Sequence, residues 1–151
     1  MRLRPLALAA AAALGLVSGS GCGGDSTSVW ARDSVDSYVQ AKAVWTGGQA
    51  NIRGELEGCA ILQAFSACRE LVAIRVGRLD GDVARRLTTL GERSDLNGRC
   101  RASVRDGVKV FASAPPKLTA GTVSALLAQQ ASAARPGTAT LDAIWSACQP
   151  K

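Results

Sequence analysis

Residues 49–79 read QANIRGELEGCAILQAFSACRELVAIRVGRL, and the fold turns on how this proline-free stretch is taken. Its apolar residues recur at helical spacing on two nearly opposite sides. Ile52, Leu56, Cys59, Ala60, Ala67, Leu71 and Ile74 share one side, and Ile61, Phe65, Cys68, Val72, Val76 and Leu79 share the other. A helix apolar on two sides must be covered on two sides. The pattern therefore predicts a long central helix over about 49–79, packed inside a small all-α bundle.

Outward from it, every element reads as helix. Before it, Val29 to Trp45 carries Ala31, Val35, Tyr38 and Trp45 on one stripe, Thr27 or Ser28 can serve as N-cap, and Gly47-Gly48 ends the element. Within the central stretch, Gly54 and Gly58 suggest close approach of a neighbouring helix. After it, Leu79 to Gly91 forms a short helix with Val83, Leu87 and Leu90 inward and Gly91 as its stop. Leu96, Cys100, Val104, Val108 and Phe111 recur at helical spacing, although Asp106-Gly107 between two Val-containing runs also reads as a tight hairpin turn. Helix is preferred, because a lone two-stranded hairpin is marginal and no other strand extends it. Thr119 to Ala134 is a further helix, broken by Arg135-Pro136-Gly137. A last one, capped by Thr138 or Thr140, carries Leu141, Ile144, Trp145 and Cys148. The expected fold is thus five or six helices in a single domain over residues 29–149.

The first residues are of another kind. Arg2 and Arg4 precede a 12-residue apolar run, Leu6 to Val17, too short for the roughly 20 residues of a membrane span. Ser18, Gly19, Ser20 and Gly21 are small, and Cys22 follows. Residues 1–21 have the layout of a signal peptide and stand outside the fold, with 22–28 as a flexible tether. The segment resembles a bacterial lipoprotein signal. Ser20, Gly21 and Cys22 match the last three positions of the lipobox, whereas Gly19 stands where Leu is usual. The resemblance covers residues 1–22 only. It implies that Cys22 becomes the mature N-terminus, carries lipid, and holds the protein on the outer face of a membrane. An ordinary secretory signal, leaving Cys22 as a free thiol, is the alternative.

Five cysteines are an odd number for an exported chain. Lipid on Cys22 leaves Cys59, Cys68, Cys100 and Cys148, an even set in an oxidising compartment. Intervals of 8, 31 and 47 residues do not suit zinc, whose structural sites use cysteine pairs two to four residues apart, so two disulfides are expected. On a continuous helix, Cys59 and Cys68 would lie about 13 Å apart, beyond the roughly 7 Å that a disulfide spans. Two pairings remain, and Cys68–Cys100 with Cys59–Cys148 is preferred, since an antiparallel return would bring Cys100 alongside the C-terminal half of the central helix.

The chemistry is bounded by what the chain lacks. There is no histidine, which removes the commonest general base, the commonest metal ligand and every Ser-His or Cys-His arrangement. Glu55 and Glu57 diverge on a helix, and Asp80 and Asp82 sit where helix caps attract acids. No spacing marks a metal, a cofactor or a catalytic pair. Without Arg2 and Arg4, 16 basic side chains face 12 acidic ones, and the six aromatics do not interleave with the arginines, so no nucleic-acid surface is indicated. Trp30, Trp45 and Trp145 are the residues best suited to a binding surface if two of them stand exposed side by side; otherwise they are core. The expectation is a non-catalytic envelope lipoprotein, a binding, adaptor or structural module with the membrane and an envelope protein or ligand as partners. A small carboxylate-based secreted enzyme and an exported immunity or inhibitor protein are the rival readings.

Overall fold

The computed structural model describes residues 32–59, 61 and 65–149. Residues 1–31, where the signal and tether are expected and where Cys22 and Trp30 stand, lie outside them, as does Ala60. Among the described residues there are four helices and no strand: α1 (Arg32–Gly58), α2 (Phe65–Gly91), α3 (Gly98–Phe111) and α4 (Val123–Cys148). Each helix packs on its neighbour in the chain, and α4 closes the ring against α1. The backbones of the diagonal pairs do not approach one another, which is the arrangement of an up-down-up-down four-helix bundle. Residue pairs across the α1–α4 seam fix its antiparallel sense: Tyr38 meets Leu141, Trp45 meets Thr138, and Gln49 meets Gln130.

The expected central helix does not exist as one element. The chain breaks after Gly58, where the Cys59 amide still donates to Glu55 O and Leu56 O at 3.1 and 3.2 Å, and helix resumes at Phe65. The apparent two-faced helix is a helical hairpin with one buried stripe on each arm. Ile52, Leu56 and Cys59 are buried on the first, and Cys68, Val72 and Leu79 on the second. Leu71 and Ile74, expected to be covered, are half exposed, and Ile61 is 83% exposed.

This break overturns the cysteine pairing drawn from a continuous helix. Cys59 bonds Cys68 across the hairpin, with Cα atoms 6.0 Å apart. Cys100 bonds Cys148, with Cα atoms 4.5 Å apart, joining the start of α3 to the end of α4. Neither Cys68–Cys100 nor Cys59–Cys148 forms.

Helix boundaries moved for a common reason. Gly47-Gly48 lies inside α1, Asp106-Gly107 inside α3, and Pro136-Gly137 inside α4. The helical reading of 98–111 holds over the hairpin, but the five remaining segments, the central one divided after Gly58, join into three longer helices, so the bundle has four helices rather than five or six. In each pair the second residue, a glycine, faces a neighbour too closely for a Cβ. Leu79 sits on Gly48. At Gly107 a Cβ would come 2.7 Å from Ile144 Cδ1, and at Gly137 it would come 2.6 Å from Trp45 Cζ2. Gly54 and Gly58, expected to be the close-packed pair, have nothing within 4 Å of such a Cβ.

The core stripe of α2 runs Cys68, Val72, Val76, Leu79, Val83, Leu87, Leu90. Its steps of four, four and three average close to the 3.6 residues per turn of a straight helix. α3 is about half the length of its neighbours, 14 residues against 26 or 27. Segment 112–122 continues beyond it and contributes Leu118 and Ala120 to the core. Gln129 Oε1 accepts from the Thr119 and Ala120 amides at 3.0 Å, and Arg69 donates to Thr119 O at 3.0 Å. Asn97 and Thr122 cap α3 and α4 by accepting from the third residue onward.

Candidate binding groove

The seam between α1 and α4 carries two of the three tryptophans. At one end the Tyr38 hydroxyl donates to Leu141 O at 2.8 Å, and its ring stacks on Trp145 with centroids 5.3 Å apart. Burial raises the Tyr38 pKa, so the phenol stays protonated and keeps its role as donor. One turn on, Lys42 donates to Asp142 Oδ1 at 3.0 Å, and that bond is the main reason the Lys42 pKa is raised. Next, Trp45 Nε1 donates to Thr138 Oγ1 at 3.1 Å, with the indole edge-on to Phe111 at 5.1 Å. Further along, the Gln130 amide donates to Gln49.

Beyond Trp45 the two helices leave an open groove of about 420 Å³, where Ala50, Ala131 and Ala134 are too small to fill the seam and Lys42 and Arg53 stand at its margins. Among the described residues, two exposed tryptophans thus do not stand side by side. Trp45 is 5% exposed and belongs to the core, whereas Trp145 is 36% exposed and lies against Tyr38 on the far side of the Lys42–Asp142 pair. Trp30 lies outside the described residues. The signal that separates the two is Gly137, whose missing side chain gives Trp45 its slot.

Behind the groove is a cavity of about 30 Å³ among Trp45, Gln49, Gln130, Leu118 and Asp80. Burial pushes the Asp80 carboxyl up to about 6. Nothing in the sequence distinguished this residue from an ordinary helix cap. The cavity lining holds no second acid, so it lacks the paired carboxylates of a glycosidase-type site. On the other side of α1, a shallow groove of about 880 Å³ contains Glu55, which faces Arg75 at 3.5 Å, and Arg78. Glu55 Oε2 is buried and has no hydrogen-bond partner among the described residues. No group of three or more acidic or cysteine side chains there is placed to hold a metal ion. No described helix is long and apolar enough to cross a membrane.

No protein family, no curated protein and no solved structure shows detectable similarity to the chain.

Proposed function

We propose that the chain is an exported, lipid-anchored envelope lipoprotein whose bundle works as a non-catalytic binding or adaptor module. The observation that carries the reading is the cysteine pairing. Cys59, Cys68, Cys100 and Cys148 pair with one another, which leaves none of these four to Cys22, the fifth cysteine, at the lipobox-like Ser20-Gly21-Cys22. Two disulfides suit an oxidising compartment outside the cytoplasm. The open α1–α4 groove beside Trp45, with small residues on its floor and basic side chains at its margins, is the surface best shaped to receive a partner.

Metabolic labelling with a fatty acid, followed by membrane fractionation, tests the anchor. The wild type takes up label and sediments with membranes, while Cys22→Ser does neither. Label incorporated equally by the variant would defeat the reading. The adaptor role is tested separately by filling the groove with Ala134→Trp. Loss of co-purifying envelope protein from an otherwise folded variant supports it, and an unchanged set of partners counts against it.

A further inference from the structure

The solvent side of α3 is basic. Arg99, Arg101, Arg105 and Lys109 stand on this 14-residue helix against one acid, Asp106. Lys109 pairs with Asp106 at 2.9 Å. Arg99, Arg101 and Arg105 make no ion pair among the described residues, in contrast to Arg53, Arg75, Arg85 and Arg93. Beside Arg101 and Arg105 lies an open groove of about 280 Å³ between α2 and α3, with Leu87, Val104 and Val108 among its walls. An apolar slot edged by two guanidinium groups is complementary to an anionic amphiphile. Arginine grips a phosphate bidentately, and the slot accepts what is attached to it.

The position of this groove matters as much as its charge. Ser34 Oγ donates to Asp95 Oδ2 at 2.5 Å, and Arg93 faces Asp33 at 3.7 Å, so α1 begins against the α2–α3 turn. Arg101 Nη2 donates to the turn carbonyls of Arg93 and Leu96 at 3.1 and 3.0 Å. The chain therefore enters the bundle at the end where this groove lies. Only nine residues separate Cys22 from Arg32, and the ten residue steps span at most about 35 Å fully extended.

We propose that the arginine-edged α2–α3 groove seats the phosphate and adjoining apolar part of an anionic phospholipid, laying this side of the bundle on the bilayer. The proposal rests on the lipid-anchor reading above, since the tether is what keeps the groove at the membrane. Each basic residue near an anionic surface raises affinity about five-fold. Reversing one charge, a change of two units, is then expected to weaken docking roughly twenty-five-fold.

The test is amide hydrogen exchange on the protein purified from its producing cells and reconstituted into vesicles. One set is phosphatidylcholine alone, and the other contains phosphatidylglycerol. Residues 84–91 and 98–111 should exchange more slowly only with phosphatidylglycerol. Arg105→Glu, at an exposed side chain with no hydrogen bond to lose among the described residues, should abolish that protection, and Asp106→Asn should strengthen it. Equal exchange in the two lipids, or protection that survives Arg105→Glu, would overturn the proposal. So would the same protection produced by inorganic phosphate or heparin without vesicles, which would assign the face to a soluble anion. Failure of the anchor itself shows elsewhere, as fatty-acid label incorporated equally by Cys22→Ser.

Discussion

The indole of Trp45 lies against the backbone of Gly137, where an added Cβ would meet Trp45 Cζ2 at 2.6 Å and Phe111 Cε1 at 2.9 Å. This contact joins α1, α3 and α4 and draws α1 against the middle of α4. Backbone and ring are both hard to move, so Gly137→Ala is expected to destabilise the bundle by about 2 kcal/mol through overpacking, despite the helix propensity gained. Gly54→Ala, where no atom lies within 4 Å of the new Cβ, should instead stabilise it by about 0.5–1 kcal/mol. Urea unfolding of the two variants reads the contrast. The same sign for both would mean that the glycines mark flexibility rather than packing.

The disulfides make a second prediction. On the chain-entropy model, the short Cys59–Cys68 loop contributes about 3 kcal/mol and the longer Cys100–Cys148 loop about 4 kcal/mol. Double replacement by alanine should follow that order. Trypsin offers a direct check of the pairing, because Arg53 and Arg69 bracket both Cys59 and Cys68. That peptide should emerge alone under non-reducing conditions, lighter than its reduced form by two hydrogens. Its cross-linking to a Cys100 or Cys148 peptide would restore the pairing that a continuous helix requires.

How far the sequence was legible can be judged from those same residues. The inward stripes of α2 beyond Leu79, of α3 and of the two halves of α4 were readable, since Val83, Leu87, Val104, Phe111, Leu126, Leu141 and Ile144 sit at helical spacing and are buried. Element boundaries were not. A glycine records only that a side chain is missing, and whether the vacancy serves a turn or a neighbour depends on Leu79, Ile144 or Trp45 arriving from elsewhere in the chain. Conversely, the true break after Gly58 lacks the Gly-Pro punctuation that marks most turns. Its signal was the second apolar face, which also arises from an interior helix. The groove beside Trp45 and the buried setting of Asp80 depend on the α1–α4 pairing and on segment 112–122, and no local pattern encodes either.

Asp80 gives a pH dependence whose sign is fixed. Its carboxyl titrates near 6 in the fold against about 3.9 in an unfolded chain, so between those values the native state holds the extra proton. Stability from this group is full below about pH 4, falls as pH rises to about 6, and is flat above. The group is only partly buried, so the loss is on the order of 1 kcal/mol after allowance for solvent screening. Asp80→Asn should match the wild type at pH 4 and exceed it at pH 7.5. Asp95, held low chiefly by its bond from Ser34, contributes the opposite slope, but that contribution cancels in the difference between the two proteins. A difference that does not change with pH would show that the carboxyl is solvated.

Pro136 tests whether α4 is one helix or two. It lies in the interior of Val123–Cys148, where its nitrogen cannot donate to the Ser132 carbonyl and its ring crowds that carbonyl. The side chain is exposed, so it contributes little packing in return. What holds the helix together is on its other side: Gly137 against Trp45, and the Trp45 bond to Thr138. Proline costs about 3 kcal/mol relative to alanine in a helix interior, and its stiffening of the unfolded chain returns up to about 1 kcal/mol. Pro136→Ala is therefore expected to stabilise the bundle by about 2 kcal/mol, read as a higher urea midpoint at unchanged slope. If Arg135-Pro136-Gly137 were instead a break between two helices, the proline would be fixing a turn. Replacing it would then free the unfolded chain without restoring any bond, and the midpoint would fall.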